Sequence, residues 1–191
     1  MLNTNDRALK EWALACKTLQ EGRQLLLIRK GGLREEEGRF VPRYPEFFLF
    51  PTFEHQRAEL LQDRYKSELE VLSSPSDPRL VVLSSYAVVT DVLQACSEEQ
   101  VMAAGEEHIW NAEYVRQRFD FNPYDPLTLL VLRVYVLPQP ISLPFQKAYE
   151  GCRSWITLER AFSTEGAMPA LSDAEFERRR EALRTILVRS F

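Results

Sequence analysis

Two short stretches carry residue types that do chemistry. In Pro51-Thr52-Phe53-Glu54-His55-Gln56-Arg57 an apolar run stops at a proline, and a carboxylate, an imidazole and a guanidinium follow closely. With Thr52 as N-cap, this segment reads as the first turn of a helix over about 53–72. Free N–H groups and a partial positive charge at such a turn suit an anion or a developing oxyanion. Glu54 and His55 would supply a carboxylate and an imidazole for proton transfer. The purely structural alternative has Thr52 capping, Glu54 favouring the helix dipole and His55 bonding locally. The second stretch is Arg29-Lys30-Gly31-Gly32. Two glycines let a ligand approach the backbone, and two cations at a strand end hold phosphate; a plain hairpin turn is the alternative. The P-loop spacing G-x-x-x-x-G-K-[ST] is absent, which argues against nucleotide hydrolysis of that kind.

Other constellations are weaker. Glu11, Glu36 and Glu54, with Lys30, have the residue types of a Mg²⁺- or Mn²⁺-assisted hydrolase or nuclease, which needs carboxylates converging on one edge of a sheet. No aspartate precedes a matching E-x-K on a following strand. Cys152 would need a base to act as a nucleophile, and the chain has only His55 and His108. A small buried thiol beside Trp155 and a satisfied histidine beside Trp110 are the expected roles. Arg133 lies in an apolar strand and therefore requires a counter-charge. Tyr44, Phe47 and Phe53 interleave with Arg39, Arg43 and Arg57, which permits base stacking.

Three function classes follow. The first is a module that binds phosphate-bearing material or nucleic acid, its face built from Arg29, Lys30, Gly31, Gly32, Arg43, Glu54, His55 and Arg57. The second is the metal-dependent hydrolase, with Glu11, Lys30, Glu54 and His55; it alone implies Mg or Mn as cofactor. The third is a scaffold that offers an Arg-rich last helix to a protein partner.

Composition narrows the field. The chain of 191 residues is 45% hydrophobic and 27% charged, an ordinary soluble globule rather than a disordered or collagen-like chain. Net charge is −4, so a polyanion would have to meet a local patch. Residues 23–43 hold six basic side chains against three acidic ones, +3 in a chain that is otherwise −7. Cys16, Cys96 and Cys152 are odd in number and never form a C-x-x-C pair, which fits a reducing cytosol and no zinc cluster. Charges at Asp6, Arg7, Lys10 and Glu11 argue against a signal peptide. The longest run free of Asp, Glu, Lys and Arg, 134–146, is too short to span a bilayer, which needs about 20 apolar residues. A cytoplasmic protein without a membrane segment is expected.

Elements that would position these residues can be read from the spacing. Leu9, Trp12, Ala13, Cys16 and Leu19 recur at helical intervals, with Asn5 as N-cap and Gly22 as stop. Leu25–Ile28, Arg39–Pro42 and Phe47–Phe50 read as extended pieces. Ser73 to Pro78 is the strongest linker signal and suggests lobes at 1–72 and 79–191, or one continuous domain. Beyond it, 80–93 reads as one bent strand or two. Ser97-Glu98-Glu99-Gln100 is a capping box. Asn111 caps a short helix, 127–137 and 154–158 are strands, and Ser172-Asp173-Ala174-Glu175 opens a last helix. Helices and strands mix without regular alternation, so the fold class is α+β: a mixed sheet or small β-barrel-like core with flanking helices and a C-terminal helix.

Six peptides in order, Ala8–Trp12, Leu27–Gly32, Phe48–Gln56, His108–Trp110, Leu132–Tyr135 and Gly151–Trp155, make the chain resemble an uncharacterised prokaryotic family. It is known as domain of unknown function 1802 and is frequent in cyanobacteria. The resemblance spans about Ala8 to Leu158, stops short of the last helix, and implies a bacterial cytosolic protein without assigning an activity. At the level of fold, a long strand, a proline-rich bend (Pro138, Pro140, Pro144) and a Gly-x-x-Ser-Trp strand are similar to the small β-barrels of RNA-modification enzymes.

Overall fold

The computed structural model describes residues 1–30, 40, 42–72, 77, 79–151 and 153–188. Gly31, Gly32, Glu36, Arg39 and Cys152 lie outside the described residues, as does most of 73–78. In chain order the strands are β1 (Thr4–Trp12), β2 (Leu26–Arg29), β3 (Glu46–Thr52), β4 (Leu80–Ala95), β5 (Leu127–Pro144), β6 (Trp155–Ser163) and β7 (Met168–Pro169). The helices are α1 (Ala13–Gln20), α2 (Asp63–Val71), α3 (Glu98–Ala103), α4 (Ala112–Phe121) and α5 (Asp173–Val188). One mixed sheet takes the order β2-β5-β4-β3-β1-β6, with β7 alongside β5.

The sheet does not respect a boundary at Ser73–Pro78. β2 pairs with β5, β3 with β4, and β1 with β6, so strands from both sides of that segment share every part of the sheet. The two segments 1–72 and 79–191 are halves of the chain in one continuous sheet.

β1 overturns the expected first helix. Its apolar spacing suits a helix, yet residues 4–12 are extended because both edges of the strand are taken. β3 runs parallel on one side and β6 antiparallel on the other, and these pairings satisfy the backbone polar groups. Asn5 is no helix cap; its amide donates to the Glu46 carbonyl and the Tyr86 hydroxyl. The helix starts at Ala13 and ends before Gly22, which has the left-handed φ of +68° that glycine accommodates.

The sheet coils around itself. Ala8, Phe48, Phe50, Val81, Leu83, Tyr86, Leu137, Leu143, Ile156 and Phe162 form one buried cluster. They come from β5 and β6, which lie far apart in strand order, as well as from the strands between. Two register shifts in β4–β5 pairing, at Leu83/Ser85 and Val89/Asp91, bend these long strands as bulges do. The other face carries the larger core, with Leu14, Leu19, Leu26, Leu27, Leu49 and Trp110 nearly inaccessible under the helices. The result is an α+β fold with a barrel-like mixed sheet and a C-terminal helix.

Cap chemistry works where expected after Leu93. The Ser97 side chain accepts from the Gln100 N–H, and the Gln100 side chain returns the bond to the cap backbone. The Asn111 side chain accepts from the Tyr114 N–H to start α4. Three arginines of the Arg-rich α5 reach other segments of the chain, while Arg178 stays exposed. Arg179 forks onto Glu107 at 2.8 and 2.6 Å and reaches the Gly22 carbonyl, while Arg180 and Arg184 meet the nearly buried Asp91. Arg180 and Arg184 thus tie the helix to β4, and Arg179 ties it to Glu107 and Gly22.

Candidate phosphate-binding cleft

Parallel pairing of β1 with β3 brings their carboxyl ends to one edge, with Glu11 opposite Pro51 and Trp12 opposite Thr52. The residues entering β6 arrive at the same end, where the Lys10 N–H donates to the Ser154 carbonyl at 2.8 Å. The start of β4 and the end of β5 meet there too, Leu80 opposite Pro144.

A cleft of about 330 Å³ opens at this end. Its lining includes Lys10, Glu11, Arg29, Lys30, Glu54 and His55, joined by Trp12, Tyr114, Arg118 and Arg153. The structure thus brings Glu11, Arg29, Lys30, Glu54 and His55 together. Arg57 stands in an adjoining cleft, which shares Trp12, His55, Tyr114 and Arg118 with the first. Arg43 is not among the cleft residues. It precedes the amino end of β3, and the cleft lies beyond the carboxyl end, about 20 Å away at roughly 3.3 Å per residue.

The residues around Pro51 do not begin a helix. Thr52 is still in β3, and its hydroxyl donates to the Glu11 carbonyl at 3.1 Å instead of capping. Glu54 and His55 form an exposed turn, a single 3₁₀ turn covers Ala58–Leu60, and α2 begins only at Asp63. His55 has φ +63°, a left-handed conformation that costs a non-glycine residue of order 1–3 kcal/mol and is found disproportionately at functional sites. The turn delivers Gln56 to α1, where its Oε1 accepts the Leu14 N–H at 3.0 Å. The helix start at this end of the sheet is therefore that of α1, capped by a side chain from a distant segment.

Glu11 is committed to a structural pair. Its Oε2 accepts from Arg29 Nη1 at 2.9 Å and its Oε1 from the Trp12 N–H at 2.8 Å, with both side chains of the ion pair largely buried. Arg29 also lies 5.0 Å from the Phe40 ring. Among the described residues, no group of His, Cys, Asp and Glu side chains has the arrangement of a metal site. The remaining cations keep a different company. Lys30 donates to the Asp125 carbonyl and sits over Phe119, and burial pushes its amine below its ordinary pKa against the opposing Asp125 charge. Arg118 covers the Tyr114 ring at 4.7 Å, and burial pushes that phenol's pKa up. Lys10 donates to the carbonyls of Tyr149 and Gly151, fixing the wall beside the cleft. Arg153 is exposed and makes no ion pair among the described residues. Among the described residues the cleft sets five cations against the carboxylates of Glu11 and Glu54, and Glu11 is neutralised by Arg29.

Other flagged residues are structural. His108 is fully buried; its Nε2 faces the Val101 carbonyl at 3.0 Å, and Nδ1 accepts the Trp110 N–H at 3.2 Å. This assigns the proton to Nε2. Arg133 finds its counter-charge in Asp173 at 2.5 Å, with Phe176 stacked at 4.6 Å. Lys10, Trp12, Tyr114, Arg118 and Arg153 were not marked as site residues by sequence reasoning. The nearest signal was the paired peptides Ala8–Trp12 and Gly151–Trp155, which β1–β6 pairing makes neighbours.

A family model described as Domain of unknown function (DUF1802) matches residues 8–182. The chain belongs to that family. The match takes in all the cleft residues and runs into α5, beyond the Leu158 limit of the sequence resemblance. No curated protein matches this DUF1802 chain. Among solved structures it is similar to ASCH from Zymomonas mobilis, at 13% identity over 93% of this chain and 94% of that one, TM-score 0.43. Two mutants of ZmASCH give 15% identity over 81% and 90% (TM-score 0.45) and 12% over 95% and 99% (TM-score 0.44). Among the described residues no helix is long and apolar enough to cross a membrane.

Proposed function

We propose that the cleft at the carboxyl ends of β1 and β3 binds the phosphates of a nucleic-acid strand. The observation that supports this is the gathering of Lys10, Lys30, Arg118 and Arg153 in one open cleft where Glu54 is the one carboxylate without an ion pair among the described residues. In a chain of net charge −4, such a local excess of positive charge favours a polyanion at this place and repels it elsewhere. Trp12, partly exposed, adds an aromatic ring beside the cations, the combination that single strands use. His55, held in its strained turn at the junction with the cleft of Arg57, is positioned to donate a hydrogen bond to the strand. A cytoplasmic setting accompanies this reading, in keeping with the unpaired thiols of Cys16 and Cys96.

The test is a salt titration of binding to labelled single-stranded RNA and DNA. Log affinity should fall with log salt by about 0.7 per phosphate neutralised, and Lys30→Ala or Arg153→Ala should each flatten the slope by about that amount. Absence of binding to either strand at low salt would remove the reading.

A further inference from the structure

A second cleft of about 390 Å³ opens against the first and shares Lys10, Thr52, Glu54 and Gly151 with it. Its character is different. Phe50, Pro51, Phe53, Leu80, Val82 and Phe145 make its walls, and among the described residues Lys10 is its one cation against the carboxylates of Glu54 and Glu150. A phosphate is disfavoured there by charge, whereas a flat uncharged ring is favoured by the walls. Phe145 is 40% exposed and Leu80 38%, unusual for large apolar side chains placed next to one another across the Leu80–Pro144 pairing. The wall is rigid. Tyr149, almost wholly buried, meets Phe50 edge-on at 5.6 Å and Phe145 at 6.1 Å, and its hydroxyl accepts the Glu159 N–H at 3.2 Å. The volume falls in the roughly 300–1,000 Å³ range of small-molecule sites.

We propose that this apolar cleft is a nucleobase subsite: it takes the base of a nucleotide whose phosphate lies in the adjoining cationic cleft. The proposal rests on the phosphate reading above and adds the chemical class of the ligand. Two features support a base over another apolar occupant. The apolar cleft is continuous with the cationic one, as a nucleotide requires. The carboxylates of Glu54 and Glu150 at its rim accept hydrogen bonds from ring N–H and exocyclic amino groups, which a hydrocarbon lacks.

The experiment compares adenosine 5′-monophosphate with ribose 5-phosphate by calorimetry at low salt, on the wild-type chain and on Phe145→Ala and Phe53→Ala. Thermal melts of the same samples confirm folding. The expected result is roughly tenfold tighter binding of the mononucleotide, the size of one base–aromatic stack. That preference should shrink several-fold in either variant, with ribose 5-phosphate binding unchanged. Equal affinities for the two compounds in the wild type would overturn the subsite and leave the phosphate reading standing. A preference that survives both substitutions would also overturn it, since the base would then sit elsewhere. Binding of neither compound would overturn the phosphate reading, and the subsite with it.

Discussion

Replacing Glu11 by glutamine should lower stability and strengthen binding at once. The carboxylate serves two donors, Arg29 Nη1 at 2.9 Å and the Trp12 N–H at 2.8 Å, from a side chain only 7% exposed. An amide has one acceptor oxygen, so one of these donors would face an NH₂ group. A buried donor left unmatched costs about 1–3 kcal/mol, and breaking a buried ion pair about 3–5 kcal/mol. Arg29 retains the Lys10 carbonyl at 3.3 Å and the Phe40 ring, and it borders an open cleft. That places the loss near the low end of the pair value, about 3 kcal/mol. For a domain of this size each kcal/mol moves Tm by about 2–4 °C, so Tm should fall by about 6–12 °C. The same substitution removes a negative charge and releases a guanidinium at the cleft. Nucleic-acid binding should tighten at low salt, and its salt slope should steepen by about 0.7 for one added phosphate contact. Circular-dichroism melts and fluorescence anisotropy on the same sample read both effects. A Tm shift below about 2 °C together with weakened binding would refute the reasoning, because Glu11 would then act on the ligand and not on Arg29.

Two further predictions concern titration and the last helix. Burial holds the His108 pKa below its ordinary value although the Val101 carbonyl opposes this, so the unfolded chain takes up the proton first. The stability it confers is full above about pH 6.5 and falls as pH drops toward the lowered folded value; urea midpoints should show that slope in the wild type and not in His108→Gln, and parallel slopes would contradict it. Burial alone would raise the Asp91 pKa, but hydrogen bonds from Arg180 and Thr90 and the charges of Arg180 and Arg184 hold it below the usual carboxylate range. Its tie to α5 is therefore present above about pH 4 and is lost as pH falls through the folded value. Asp91→Asn at neutral pH should speed amide exchange across 173–188 by about tenfold with β5 unaffected, and unchanged exchange in α5 would show that apolar packing alone holds the helix.

Local chemistry after residue 93 was legible in the sequence because it is settled within a few residues. The Ser97–Gln100 box, the Asn111 cap, the dense apolar strand from Leu127 and the final amphipathic helix need no distant partner to be recognised. The α+β class, and the buried-histidine role of His108, follow from the same kind of pattern. Tertiary structure decided the amino-terminal third. Residues 4–12 carry a helical spacing but become a strand paired on both sides, because the edges of β3 and β6 supply hydrogen bonds along their length. Residues 53–62 form no α-helix, and Thr52 and Gln56 spend their side chains on β1 and α1. The cleft depended on the parallel register of β1 with β3, a pairing between segments some forty residues apart that no local pattern encodes. That register, together with the β2–β5 pairing and the placement of α4, and not the spacing of charges along the chain, gathers Lys10, Lys30, Arg118 and Arg153 around one opening and leaves Arg43 before the far end of β3.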